Sequence, residues 1–161
     1  MIDEIVTGSA VKEWLPKRNA YGHKGTFGRV LVVAGSVGYT GAPYFTAEAA
    51  ARSGAGLVFL GVPEAIYAIE AIKCSSAMAF PLACEDGKLT ETAADSLIER
   101  AEGCDACVIG PGLGRSRGVD ALVERLLKEI RVPVVLDADG INALAGNIDV
   151  LQNVSGPVVI T

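Results

Sequence analysis

The 161-residue sequence has few features of membrane, nucleic-acid-binding or secreted proteins. No apolar run reaches the ~18 residues of a transmembrane helix, and the 14 basic residues form no cluster. With 19 acidic residues the net charge is -5, which argues against nucleic acid or an anionic membrane as the main partner. The acidic N-terminus has no basic region of a signal peptide, so we expect a cytoplasmic protein.

Histidine and cysteine are also scarce, which limits the possible metal and redox sites. The one histidine, His23, is distant in sequence from the C-x-x-C formed by Cys104 and Cys107, so a zinc site is not expected. A redox pair is the alternative. Because Cys107 opens an apolar run typical of a buried strand, we predict that the four cysteines are free and inert.

The sequence contains no internal repeat, linker or low-complexity segment. Half of the residues are hydrophobic and 20% are charged, which excludes a disordered chain. We therefore predict one domain over residues 1–161. The last apolar segment runs to Thr161 without a covering helix, so the sequence predicts either an edge strand there or a fold truncated at its C-terminus.

Short apolar runs alternate with helix-like segments. Several runs are continuous in Val, Ile and Leu, which is typical of strands covered on both faces. We predict strands at 29–35, 56–62, 77–82, 105–110, 133–137 and 157–161. We predict helices at 42–53, 64–73, 91–102, 117–130 and 140–152, with a break at Gly146 in the last and Thr90 as the cap before the third. The alternation predicts an α/β fold with a doubly wound, mostly parallel sheet.

The clearest helical periodicity lies in the fourth predicted helix. Its apolar residues recur at the spacing of one helical face: Val119, Leu122, Val123, Leu126 and Ile130.

Near the N-terminus, Trp14 is expected to be a packing anchor rather than a stacking surface for a ligand.

Three loops follow predicted strands and precede predicted helices. We name them the first loop (residues 35–42), the second loop (110–116) and the third loop (137–142). Ligands of open α/β sheets bind beyond the carboxyl ends of the strands, where helix N-termini also favour anions. We therefore predict that all three loops lie at one edge of the sheet and form the binding site.

None of these loops carries a standard nucleotide-binding motif. The first loop has Gly35, Gly38 and Gly41 at an unusual spacing, and no G-K-[ST] sequence occurs anywhere. Asp137 and Asp139 are the acidic pair at a strand end. They suit hydroxyl recognition, metal binding or general-base catalysis, while a buried hydrogen-bonded carboxylate and a helix N-cap are the respective alternatives.

Two further polar residues, Asn142 and His23, lie near these elements in the sequence. Asn142 is either a polar contact to the ligand or a surface residue. His23 precedes the first strand, so it should lie at the amino end of the sheet, in a structural or subunit-contact role.

The order of motifs resembles that of the ADP/ATP-dependent NAD(P)H-hydrate dehydratases, a ribokinase-like, carbohydrate-kinase-related family. The resemblance covers the chain from about residue 12 to its last residue. The matching segments are 23–36, 39–42, 50–58, 110–114 and 135–142. It implies Rossmann-like layers of the ribokinase-like fold.

The resemblance also implies a repair activity. Members of the family phosphorylate the C6 hydroxyl of hydrated NADH or NADPH with ADP or ATP, usually with Mg²⁺, and phosphate elimination restores the cofactor. By this resemblance, Ala42 and Gly112 contact the hydrated dinucleotide. Gly114, Asp139 and Asn142 lie in the same matched loops and are further substrate-binding candidates. Gly38 and Gly41 are the cofactor-binding candidates, with ADP or ATP as the cofactor.

The family pattern continues past Thr161 with a donor-phosphate loop and a Gly-Gly-x-Gly-Asp motif that carries the catalytic aspartate. Those segments are absent here, so the catalytic residue is expected beyond residue 161, and the isolated chain is expected to lack dehydratase activity. The alternatives are a small-molecule kinase that retains its phosphorylated product, and a non-catalytic ligand-binding fragment. The resemblance also implies a homo-oligomer, with a tetramer favoured.

Gly112 supplies a specific expectation. If its backbone meets the ligand, Gly112→Val should weaken dinucleotide binding far more than folding.

Overall fold

A computed structural model describes residues 5–161. Its strands and helices alternate along the chain, as the sequence predicted. The elements in chain order are α1 Gly8–Trp14, β1 Arg29–Val33, α2 Gly41–Arg52, β2 Leu57–Pro63, α3 Glu64–Lys73, β3 Met78–Leu82, β4 Cys84–Glu85, β5 Lys88–Leu89, α4 Ala94–Glu102, β6 Ala106–Ile109, α5 Arg117–Glu129, β7 Val134–Leu136, α6 Asp139–Asn142 and β8 Val158–Ile160. Three 3-10 helices lie at Lys24–Phe27, Glu91–Ala93 and Ile148–Asn153.

The six predicted strands form one parallel sheet in the order β3-β2-β1-β6-β7-β8. The chain builds outward from β1 to β3 and then crosses to β6 and builds outward to β8. This reversal makes the sheet doubly wound, as predicted, and places β1, β6 and β7 side by side at its centre.

Two hydrophobic cores lie on opposite faces of the sheet. One packs α4 and α5 against the sheet, and all five predicted stripe residues of α5 and its C-cap are buried in it. The other packs α2 and α3 against β1 and β2 around Ala47 and Ile66. Because both faces are covered, the central strands can be continuous in Val, Ile and Leu.

Four local features differ from the sequence expectations. A two-stranded hairpin of β4 and β5 was not predicted. The predicted helix at 140–152 is instead the short α6 followed by turns and a 3-10 helix. The short helix α1 was also not predicted. Trp14, expected to be a packing anchor, is 64% exposed at the end of α1, and this helix buries none of its residues.

The helix cap predicted at Thr90 forms only in part. Thr90 occupies the predicted N-cap position, but its hydroxyl hydrogen-bonds to Thr92 rather than to a helical N–H group.

At the outer edge of the sheet, Val159 and Ile160 of β8 are about half exposed. Within residues 5–161, no helix is both long and apolar enough to cross a membrane.

All four cysteines are free, and Cys74, Cys104 and Cys107 are buried. Burial raises the pKa of the Cys107 thiol to about 12. Burial, followed by the nearby Glu70 carboxylate, raises the pKa of Cys74 to about 11. The prediction that the cysteines are free is therefore confirmed. That they are inert stays a prediction, which the burial of these three thiols supports because it disfavours their reactive thiolate forms.

This burial predicts a selective pattern of thiol alkylation. At pH 8 we expect iodoacetamide to label the partly exposed Cys84 first, while Cys74 and Cys107 react only after unfolding in urea. A thiol with a pKa of about 11 is ionised to about one part in a thousand at that pH. Peptide mapping by mass spectrometry gives the order of labelling, and rapid labelling of Cys107 in the folded protein would contradict the prediction.

Candidate functional site

The three glycine-containing loops meet at the carboxyl edge of the central strands. The first loop follows β1, the second follows β6 and the third follows β7, and these strands are neighbours in the order β1-β6-β7. The prediction that all three loops lie at one edge is confirmed. His23 lies at the opposite, amino end, where its side chain caps the 3-10 helix that precedes β1.

The first and second loops are joined by two hydrogen bonds. The Gly35 N–H donates to the Pro111 carbonyl at 2.9 Å, and the Ser36 hydroxyl donates to the Gly112 carbonyl at 2.8 Å. Ser36 is 1% exposed, so its hydroxyl acts inside the protein. Sequence reasoning gave this serine no role, because its partner is distant in the chain.

Asp139 joins the third loop to the second. Its Oδ2 accepts the Gly114 N–H at 2.9 Å, and its Oδ1 accepts from the Asn142 side-chain amide at 3.1 Å. The N-cap alternative for Asp139 is wrong, because Ala138 occupies the N-cap position of α6. Asp137 Oδ1 accepts the Thr161 hydroxyl at 3.0 Å, a side-chain bond rather than the backbone N–H bonds of its alternative.

The glycines of the second loop are needed for packing within the protein. Gly112 has a φ of +67°, and a Cβ atom added there would lie 2.8 Å from Ala42 Cβ and 3.1 Å from Tyr39 Cβ. A Cβ atom at Gly114 would lie 3.1 Å from the Lys88 side chain. Both glycines therefore permit close contact between loops, which changes the physical basis expected for Gly112→Val.

Gly38 and Gly41 have a different environment. No heavy atom lies within 4 Å of a Cβ atom added to Gly38, whose φ is +90°. At Gly41 the nearest neighbour is the Phe45 ring, at an ordinary contact distance of 3.8 Å. The first loop therefore presents open backbone at the edge where a ligand would approach.

The N-terminus of α2 adds free hydrogen-bond donors to this open backbone. Thr40 occupies its N-cap position without a side-chain capping bond, and within the described chain nothing accepts the N–H groups of Gly41 and Ala42. By contrast, Ser116 caps α5 by accepting the Val119 N–H at 3.1 Å. Unpaired amides at the positive end of a 12-residue helix can bind an anionic group.

The unpredicted hairpin of β4 and β5 also belongs to this edge. The Val37 N–H donates to the Gly87 carbonyl at 3.0 Å, and Lys88 lies beside Gly114. Asp86 and Gly87 both have positive φ, at 48° and 72°, as a two-residue hairpin turn requires. The Asp-Gly pair was the sequence signal that could have identified this element.

The edge contains few groups for metal chemistry. In the part of the chain that the structure describes, no three His, Cys, Asp or Glu side chains are grouped to hold a metal ion. Both Asp139 oxygens already accept hydrogen bonds. Two clefts of about 570 and 580 Å³ lie away from the three loops, one beside Arg131 and one beside Arg29.

The contacts of Gly112 predict that its replacement affects folding. We expect Gly112→Val to lower the free energy of unfolding by about 1–3 kcal/mol for the positive φ and by a further ~1–3 kcal/mol for the overlap with Ala42 and Tyr39. Gly38→Val is the matched control, since it has positive φ and open space and should lose only the first contribution. Urea denaturation measures both, and equal losses would show that the overlap is relieved at no cost.

Comparison with known proteins gives a consistent family. The family model described as NAD(P)H-hydrate dehydratase, of carbohydrate-kinase type, matches residues 30–161. A bifunctional NAD(P)H-hydrate repair enzyme of Moorella thermoacetica is 44% identical over 158 residues, covering 98% of this chain and 30% of the relative. An ATP-dependent (S)-NAD(P)H-hydrate dehydratase of Pediculus humanus is 33% identical over 152 residues, covering 94% of this chain and 49% of the relative.

Solved structures agree on the fold. The chain matches the ADP/ATP-dependent NAD(P)H-hydrate dehydratase of Bacillus subtilis, co-crystallised with ATP and Mg²⁺, with a TM-score of 0.70 and 31% identity. That match covers 96% of this chain and 50% of the other. A ribokinase-like superfamily protein of Enterococcus faecalis, at 24% identity and a TM-score of 0.76, supports the fold alone, with 96% of this chain and 52% of that one covered.

The chain therefore spans under a third of the first curated relatives and about half of these solved structures. The fold is ribokinase-like, as the resemblance implied. Because the family model matches most of the residues, from the start of the sheet onward, the chain belongs to the NAD(P)H-hydrate dehydratase family.

Proposed function

We propose that this chain is the substrate-holding part of an ADP- or ATP-dependent NAD(P)H-hydrate dehydratase. The observation that carries the proposal is the partly exposed start of α2, where free Gly41 and Ala42 amides adjoin the open backbone of Gly38. Such a site suits the pyrophosphate or ribose of a dinucleotide. The names of the relatives mention NAD(P)H hydrate, which supports hydrated NADH or NADPH as the substrate class.

The proposed site residues divide into two groups by their surroundings. Gly38, Gly41 and Ala42 offer backbone that a ligand can reach. Gly112 and Gly114 lie behind them and hold the first loop and the hairpin in contact with the second loop. We assign the last two glycines to the shape of the substrate site, with direct ligand contact only through their backbone atoms.

Asp139 and Asn142 form the side-chain component of the proposed site. The Asp139 carboxylate spans the second and third loops, so it fixes their spacing. Asn142 is exposed, and its amide nitrogen donates to Asp139, which directs its carbonyl oxygen elsewhere. That oxygen is an available acceptor for a ligand hydroxyl.

The proposed reaction needs positioning more than covalent chemistry by the protein. A phosphoryl group passes from ADP or ATP to the C6 hydroxyl oxygen of the hydrate, whose proton goes to a base. The C6–O bond then breaks, phosphate leaves and a proton is lost from the neighbouring C5, so that the C5=C6 double bond forms and NAD(P)H is restored. In this scheme the three loops bind and orient the dinucleotide, while the base and the donor site belong to segments beyond residue 161.

Mg²⁺ enters the proposal with the phosphoryl donor. This ion is usually held by one or two carboxylates together with substrate phosphates, and when bound it neutralises phosphate charge. Because this proposal places the donor site in segments beyond residue 161, we assign no step of this chain to the metal.

We also propose a cytoplasmic homo-oligomer, a tetramer by family resemblance, with neither nucleic acid nor membrane as a partner. The net charge of -5 and the free cysteines support the compartment and the absence of polyanionic partners. The half-exposed apolar side chains of β8 offer one surface for further packing.

The activity is tested by recovery of NADH absorbance from NADH hydrate, with ADP and ATP as alternative donors. We expect turnover by the full-length product of the gene and none by the 161-residue chain, with intact-mass spectrometry verifying each sample. A full-length product that forms a stable phosphorylated compound without NADH would indicate the small-molecule kinase instead. Enzymatic turnover by the verified 161-residue chain would place the base within it.

Gly41→Ala tests the ligand contact separately from folding. The added methyl group meets only the Phe45 ring, at 3.8 Å, so we expect unchanged stability. If Gly41 N–H and its surroundings contact the dinucleotide, the affinity for NADH measured by calorimetry should fall by about tenfold, the equivalent of ~1.4 kcal/mol. Gly8→Ala, in open space on α1, is the control. Unchanged affinity in the Gly41 variant would remove Gly41 from the site.

A further inference from the structure

A buried carboxylate on α3 is linked to the first loop through Lys73. Glu70 of α3 is 0% exposed and, with Ser36, is one of two fully buried polar side chains among the described residues. Its Oε1 lies 3.2 Å from the Lys73 ammonium, and its Oε2 accepts a weak hydrogen bond from Cys74 Sγ at 3.7 Å. A carboxylate in such a place needs partners, because burial removes its hydration.

Lys73 connects the buried Glu70 carboxylate to the start of α2. Its ammonium, one turn after Glu70, donates to the Thr40 carbonyl and lies 5.2 Å from the centre of the Tyr44 ring. Thr40 is the N-cap residue of α2, and Tyr44 lies one turn further along. Lys73 thus connects the end of α3 to the beginning of α2.

Thr40 lies between the residues through which the first loop contacts the second loop. Its neighbours Tyr39 and Ala42 are the residues that lie against Gly112 of the second loop. Holding the Thr40 carbonyl therefore holds the segment between Gly38 and Ala42 against the second loop. The same segment contains the open glycines and the free amides of the proposed site.

The charge of Lys73 is unfavourable at this place unless it is compensated. An ammonium beside a helix N-terminus faces the positive end of the helix dipole. Glu70 supplies the compensating negative charge from inside the protein. Cys74 remains a protonated donor toward Glu70, since burial and that carboxylate raise its pKa to about 11.

From these contacts we propose that Lys73 is a positioning residue, held by buried Glu70, that fixes the first loop in its ligand-binding shape through the Thr40 carbonyl. Lys73 acts on the ligand only through this loop. The inference rests on the proposed function for the identity of the ligand, but the effect on the loop is independent of it.

The experiment compares Lys73→Met, which keeps the stem and removes the charge, with Lys73→Arg, which keeps a cationic donor. Lys128→Met is the matched control, since Lys128 pairs with Glu124 at 2.5 Å on α5, away from the first loop. Hydrogen exchange of the Val37 and Tyr39 amides reports the loop, because both are hydrogen-bonded to the backbone. Calorimetry with NADH reports the site.

In Lys73→Met we expect exchange at these two amides to accelerate about tenfold or more, with the central strands unchanged, and NADH affinity to fall by a similar factor. Lys73→Arg should recover most of both. Lys128→Met should change neither. If Lys73→Met does not fold, Glu70→Gln decides by the same two measurements, with a smaller acceleration expected in the same segment.

Unchanged exchange in Lys73→Met, or a uniform acceleration over the whole sheet, would overturn the positioning role. Loosening confined to the first loop, in a protein whose wild type does not bind NADH, would support the positioning role and contradict the proposed substrate. The two proposals therefore fail in different ways.

Discussion

Direct contact between the backbones of the three loops is the constraint on which the candidate site depends. A side chain at Gly110 would collide with the Asp137 carbonyl, and one at Gly140 would lie 2.8 Å from the Ile109 carbonyl. Such contacts are possible only for glycine, so neighbouring strands can deliver their loops to one shared surface. The hydrogen bonds of Ser36 and Asp139 then fix the loops laterally.

The two cores support this edge in different ways. The larger core, beneath α4 and α5, holds β6 and β7 and thereby the second and third loops. The smaller core, beneath α2 and α3, holds β1 and β2 and contains the small side chain of Ala47. Because α2 packs on β1 and β2 and begins within the first loop, its N-terminus is held at this edge of the sheet.

The sheet and α5 were predictable because their patterns are local and regular. Continuous apolar runs marked the doubly covered strands, and Leu122 and Leu126 marked one buried helical face. The hairpin was missed because two-residue strands leave no periodic signal. The bond between Asp139 and the Gly114 N–H joins residues 25 positions apart, so no local pattern reports it. The family resemblance likewise predicted ligand contact for Gly112, while its packing against Ala42 and Tyr39 could not be predicted because these residues are distant in the sequence.

Ala138 has a consequence for the energetics of binding. Its backbone, at φ 48° and ψ −114°, lies where a non-glycine residue is strained, yet the Asn142 N–H donates to its carbonyl at 3.0 Å and the Gly140 N–H donates to Asp137 at 2.9 Å. A loop kept in a strained state by its surroundings has few other conformations available. A ligand that meets it already ordered loses little chain entropy on binding, so the third loop is preorganised by the fold itself.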